Sequence, residues 1–323
     1  MWGTEDSAHS DAHPRHDPRP QRGAERGVPS PAGALRGGHG GEWAGYFGDQ
    51  RPGVPATAST QFNVASITKT VTTEAILRLV AEGRISLDER MAAHWIDPDL
   101  AGDARAERLT PRMALTHSTG LPNWRWLSDS DGSYAGDLPL RFLFDPGTGY
   151  AYSGEGFQYV ARFVEHKLGV DFEDVVEEYV FDPIGMEGAS FSRRSANFPH
   201  LVQTVDEDGT FHGHYCAPWG GCAEEGEWSA AGGLRVTVPD YAAFIAAVVD
   251  RDGYGSSLAD QRDRVQVEQW NRPRSILVRC EQLPDAGCPQ SQGYGVGWQV
   301  ADYGDHKILA HRGDDWSESA LAY

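Results

Sequence analysis

Strand-like segments lie at both ends of this 323-residue chain, and helical patterns fill its middle. GEWAGYFGDQ (41–50) reads as a strand and turn, and YGVGWQV (294–300) and KILAHRG (307–313) read as strands. Between them, apolar residues recur at Val71, Ala75, Ile76, Leu79 and Val80, a helical stripe that Gly83 stops. VARFVEHKLG (160–169) and FEDVVEEYVF (172–181) are further helical patterns, the second ending at Pro183. In LRVTVPDYAAFIAAVVD (234–250) a strand leads to Thr237 as N-cap, with Pro239 just inside a buried helix. The order predicts an α/β (α+β) fold: one sheet built from the chain's two ends, with a helical insert between them. The sheet part is expected over about 41–70 and 225–323, and the helical part over about 71–224. Residues 1–40 are rich in Pro, Gly, His and Arg, show no periodicity, and read as a disordered or non-native segment.

Charge narrows the function. The net charge is −19. Residues 1–40 hold five acids (Glu5, Asp6, Asp11, Asp17, Glu25) and five arginines (15, 19, 22, 26, 36), so the whole excess lies in 41–323. An acidic body argues against nucleic acid or an anionic membrane surface as partner. No apolar run approaches the roughly 18 residues of a membrane span; YAAFIAAVV (241–249) reads as a core helix. The start carries no basic n-region followed by an apolar h-region. Four cysteines fall in two close pairs, Cys216/Cys222 and Cys280/Cys288, which are either two local disulfides or four thiols.

The chain has three lysines, Lys69, Lys167 and Lys307, against many arginines. One is placed at FNVASITKTV (62–71), three residues after Ser66. At that spacing both side chains share a helix face. The helix N-terminus directs N–H groups and a partial positive charge at Ser66, which suits a nucleophile forming a negatively charged adduct. A lysine held neutral by burial can accept the serine proton, whereas a guanidinium does not give up its own. Alone, Ser-x-x-Lys equally describes a helix cap beside a solvated lysine.

The surroundings decide between these. FNVASITKTV, LTHSTGLP (115–122), YAYSGEGFQYV (150–160), DPIGM (182–186), SAAGGLRVTVPDYAAF (229–244), YGVGW (294–298) and HRGD (311–314) occur in one order. Together they resemble the serine β-lactamase and penicillin-binding-protein-like family, closest to the class C-like branch with D-Ala-D-Ala carboxypeptidases, D-aminopeptidases and family VIII esterases. The resemblance covers roughly residues 42–323. It implies an antiparallel sheet flanked by helices, a mainly helical subdomain, and a site in the cleft between them. It implies Ser66 as acylated nucleophile, Lys69 as its partner, and Tyr152 of Tyr-Ser-Gly as general base or acid with a phenol pKa lowered by Lys69. His311, Gly313 and Ser153 would face the substrate, His311 binding a carboxylate or relaying protons. The backbone N–H groups of Ser66 and Asp314 would form the oxyanion hole. The implied activity is hydrolysis of a small amide, ester or β-lactam, with no metal or organic cofactor and a small molecule or short peptide as partner. An impaired binding or regulatory protein of the same fold, or a non-functional fragment, is the rival reading. The family is mostly secreted or periplasmic; without a recognisable signal, a cytoplasmic place stays open.

Four features depart from the family pattern. Gly154 stands where Tyr-x-Asn has asparagine, which bears on β-lactam and peptide recognition. Asp314 and Asp315 put negative charge near the oxyanion hole. The family's opening helix and first strand have no clear match before Gly41, and its final strands and closing helix are expected to be missing after Tyr323. Other chemistries fit less well. THSTG (116–120) has Thr116 where Gly-x-Ser-x-Gly needs glycine. His212-x-His214-x-Cys216 would share a strand face but lacks a fourth metal ligand. GYGVGW (293–298) lacks the spacing of a dinucleotide loop. Trp124, Trp126, Trp219 and Trp228 are candidates for the cleft wall or for ordinary packing.

Overall fold

The computed structural model describes residues 33–38, 42–127, 136, 138–206, 208–214, 222–268, 287–315 and 318–323. Strands β1 (Gly33–Gly38) and β2 (Glu42–Phe47) form a hairpin, followed by the short β3 (Asp49–Arg51), β4 (Val54–Pro55) and β5 (Gln61–Asn63). A 3₁₀ turn, Ala65–Ile67, runs into α1 (Thr68–Ala81). Then come α2 (Pro111–Leu115), α3 (Gly154–Leu168), α4 (Phe172–Val176) with a wide π turn to Phe181, and α5 (Asp182–Ile184). The chain closes with β6 (Arg235–Thr237), α6 (Val238–Asp250), α7 (Ser256–Arg262), β7 (Val267–Glu268), β8 (Ser291–Tyr294), β9 (Gln299–Asp302), β10 (Lys307–Asp314) and β11 (Ser319–Ala322).

Helix α1 is the axle of the molecule. Every residue from Thr68 to Leu79 is buried, polar ones included. A helix buried all round must satisfy its polar groups internally. Thr68, Thr70 and Thr73 donate to carbonyls of the preceding turn, and Thr72 donates to Ala230 O at 2.7 Å. The expected stop is in place: Gly83 sits at φ 70°, its N–H on Val80 O and that of Arg84 on Leu79 O. Those two bonds are the 5→2 and 6→1 pair of a Schellman end. Thr237 caps α6 by accepting the Asp240 N–H, and Ser153 caps α3 by accepting that of Gly156.

The sheet differs from the expectation of one sheet made by both chain ends. Strands β11, β10, β9, β8 and β7, in that order, form an antiparallel five-stranded sheet drawn wholly from residues 267–322. The β1–β2 hairpin forms its own ladder, inside and just beyond the segment expected to lack structure. Pairing across a short turn closes a smaller loop than pairing with a strand far along the chain, and so costs less entropy. The early strands reach the C-terminal half through β5 and β6, paired at Phe62 and Val236. YGVGWQV is a hairpin rather than one strand. Gly295 N–H bonds Trp298 O, Gly297 takes φ 76°, and the tip tucks against Thr73 of α1.

Cys222 and Cys288 each take part in a disulfide, while Cys216, Cys280 and Trp219 lie outside the described residues. Among the described residues no helix is long and apolar enough to cross a membrane, and no three His, Cys, Asp or Glu cluster as metal ligands. His212 instead pairs with Asp206 at 3.1 Å, and His214 stacks on Phe198.

Candidate active site

Ser66 lies second in the 3₁₀ turn before α1, so its N–H precedes the first intrahelical bond. The turn is held in an unusual shape. Ala65 takes φ 45°, its N–H bonded to Asn63 Oδ1 and its carbonyl to Thr68 Oγ1. Left-handed alanine is strained, and the surrounding bonds enforce it.

Lys69 Nζ donates to Ser66 Oγ at 3.1 Å and to Ala231 O at 2.8 Å. The side chain is fully buried, over the rings of Tyr152 and Phe157. Burial alone brings its ammonium down to about 7. The Tyr152 hydroxyl also bonds Ser66, so serine, lysine and phenol meet at one oxygen.

Two expected roles change here. Tyr152 has its pKa raised, not lowered: burial outweighs its hydrogen bond to Ser66. The neighbouring Tyr150 and Asp314 push it further the same way. The phenol therefore keeps its proton. His311 is buried, and burial followed by the charge on Lys69 holds its imidazole down to about 3. Its Nδ1 is 2.9 Å from Arg312 O and its Nε2 2.8 Å from the Tyr294 hydroxyl. A carbonyl only accepts, so Nδ1 carries the proton and Nε2 accepts from Tyr294. A neutral ring with both nitrogens engaged is a wall of the site, not a carboxylate ligand.

Ser153 also leaves the substrate side. It is fully buried, donates to Pro122 O at 2.8 Å and caps α3. Gly313 keeps its place for a steric reason. A Cβ there would stand 2.0 Å from Val64 O and 3.2 Å from Ile67 N, so strand and Ser66 turn touch backbone to backbone. Beyond it, Asp315 N–H bonds Glu318 O at 2.9 Å. Antiparallel ladders alternate, which turns the Asp314 N–H toward the opposite edge of β10, past the end of its pairing with β9 at Ala310. The Asp314 carboxylate lies on the exposed face, against Arg312 and Ser319, and that of Asp315 accepts from Asn63.

One residue the sequence reading left without a role stands at the centre. His117, in LTHSTGLP, is fully buried at φ 57°. Its carbonyl accepts the Ala151 N–H and its Nδ1 accepts the Ser153 N–H, so it grips both neighbours of Tyr152. Its ring lies 4.4 Å from that of Tyr152 and 4.5 Å from that of Tyr294. Burial, then the charges of Lys69 and His311, push its pKa well below the ordinary value. With Nδ1 accepting, the proton sits on Nε2, which has no hydrogen-bond partner.

The family model described as Beta-lactamase matches residues 21–323. The chain belongs to the β-lactamase family. Within it, esterase EstB of Burkholderia gladioli is 32% identical over 165 residues, 44% of this chain and 41% of that protein. Lovastatin esterase of Penicillium rubens is 29% identical over 158 residues, 40% of this chain and 39% of that protein. A D-aminopeptidase of Gluconobacter oxydans is 27% identical over 163 residues, 48% of this chain and 30% of that protein. The matched stretches thus span less than half of each β-lactamase-family relative. Solved structures share the fold. The octameric penicillin-binding protein homologue of Pyrococcus abyssi superposes with a TM-score of 0.65 at 22% identity, over 89% of this chain and 64% of that one. The D-amino acid amidase of Ochrobactrum anthropi SV3 gives 0.62 at 20%, over 88% and 78%.

Proposed function

We propose that the chain is a serine hydrolase that forms an acyl-enzyme on Ser66 of its Ser-x-x-Lys motif. The observation that carries this reading is Lys69: buried, brought near neutrality, and 3.1 Å from Ser66 Oγ. Unprotonated, Nζ keeps its bond to Ala231 O and turns its lone pair to the Ser66 hydroxyl. It takes that proton as Oγ attacks a carbonyl carbon. The Ser66 and Asp314 N–H groups hold the oxyanion. As the adduct collapses, the Tyr152 hydroxyl gives its proton to the departing oxygen or nitrogen and recovers one from the Lys69 ammonium. Water then attacks the acyl carbon, Lys69 again accepting the proton, and Ser66 is released.

The substrate class is a small ester, amide or β-lactam. The relatives' names, two esterases and a D-aminopeptidase, support that range. No metal or organic cofactor enters the scheme. The test is covalent. Incubation with a fluorophosphonate, and separately with a penicillin, followed by intact mass and peptide mapping, places the adduct on Ser66. Ser66→Ala loses the adduct and lowers hydrolysis by about 10⁴-fold or more. Hydrolysis unchanged in Ser66→Ala refutes the reading.

A further inference from the structure

Gly154 stands where the family pattern has an asparagine, two residues after Tyr152. Ser153 between them is extended, at φ −138° and ψ 109°. Alternate residues of an extended segment point the same way, so a side chain at 154 would project on the face that carries the Tyr152 phenol. That space is filled. A Cβ at Gly154 would lie 2.9 Å from both Cζ2 and Cη2 of Trp124, and 2.9 Å from Asn123 O. An indole edge from a separate loop occupies the ground of the missing amide.

The indole is held there firmly. Asn123 on one side accepts the Gly154 N–H through Oδ1 and the Glu155 N–H through its carbonyl. Arg125 on the other side binds Asp97, Asp99 and Glu155 at 2.9–3.0 Å. Trp126 stacks on Trp124 with centroids 5.8 Å apart and planes inclined by 13°. Trp124 itself is partly exposed.

We propose that Trp124 is the acyl-group platform of the site and that the preferred substrates are esters of medium-chain apolar acids. The inference rests on the acyl-enzyme reading above and names its substrate. An asparagine amide hydrogen-bonds an acyl amide, as a peptide or β-lactam presents. An indole edge offers apolar contact at that point and no amide donor or acceptor, so it favours methylenes. Full burial of one methylene is worth about fourfold in kcat/KM, and contact on one side about twofold.

The experiment uses the full chain with p-nitrophenyl acetate, butanoate and hexanoate, and with a chromogenic cephalosporin. Wild type, Trp124→Ala and Trp124→Phe are compared, each first shown to be folded by circular dichroism and labelled at Ser66 by a fluorophosphonate. In wild type, kcat/KM should rise about tenfold or more from acetate to hexanoate and be lowest for the cephalosporin. Trp124→Ala should flatten the rise to under threefold, with hexanoate turnover falling several-fold more than acetate turnover. Trp124→Phe should restore most of it. A wild type without chain-length preference, or an equal loss on all esters in Trp124→Ala, overturns the platform while leaving the acyl-enzyme intact. Failure of a folded wild type to label at Ser66 overturns the acyl-enzyme reading and takes the platform with it.

Discussion

Lys69 and Glu74 sit five residues apart on the same buried helix, in opposite surroundings. Glu74 is met by charge: Arg78 and Tyr254 reach its Oε2 at 3.3 and 2.6 Å, and Arg262 its Oε1 at 3.4 Å. Arg262 is tied in turn to Tyr254, Val248 O and Asp263. Lys69 is met by a carbonyl, a hydroxyl and two aromatic faces. A buried charge needs either partners or another protonation state. The network at Glu74 takes the first course and locks α1 to α6 and α7. Lys69 takes the second, its pKa brought down by burial beside the Ser66 hydroxyl. The same burial that would destabilise a fold elsewhere is, on the proposed reading, what makes Lys69 a proton acceptor.

The sharpest break of this contrast is Lys69→Met. Hydrolysis should fall by about 10³-fold or more, since among the described residues Lys69 is the buried amine that donates to Ser66 Oγ. The fold should gain stability. The lysine has a pKa of about 7 when folded against an ordinary 10.5, so between those values the unfolded chain holds more protons and stability rises with pH. Removing the lysine therefore helps most at pH 7 and progressively less toward pH 10.5, which urea melts across that range will measure. In wild type, kcat/KM should climb as pH rises through about 7, where Lys69 sheds its proton.

Glu74→Gln is the mirror experiment. It leaves Arg78 buried without a carboxylate and Arg262 with that of Asp263 alone, and should cost about 3–5 kcal/mol in urea unfolding. The rate of fluorophosphonate labelling of the folded fraction should stay within about twofold. A large loss of labelling at unchanged stability would erase the distinction between the two clusters.

A smaller effect tests the positioning of Tyr152. His117→Asn keeps an acceptor for the Ser153 N–H and a residue at ease with positive φ. It should lower kcat about tenfold with KM nearly unchanged. His117→Leu, without an acceptor, should lose more. Equal losses in both would reduce His117 to a packing residue.

Ser66 and Lys69 were legible because their relation is local: three residues on a helix share a face whatever the rest of the chain does. Tyr152 and His311 were legible through resemblance alone, and their protonation was not, because burial and partners belong to the assembled fold. His117 carried no signal beyond one histidine in a loop, since its bonds run to residues more than thirty positions away. The caps at Thr237 and Gly83 could be read from composition. The separation of the N-terminal hairpin from the main sheet could not, because strand pairing leaves no mark in either partner's sequence. YGVGWQV read as one strand from its apolar residues, and the turn at Gly297, with φ 76°, appears only in the folded chain.

The contact at Gly313 has a consequence for how the site can change over time. Because strand β10 meets the Ser66 turn without a side chain between them, main-chain atoms set the width of that seam. On the proposed acyl-enzyme reading, substitutions around the cleft would reshape the substrate's berth without widening the gap between Ser66 and the Asp314 amide. Specificity would then drift while that gap stays fixed.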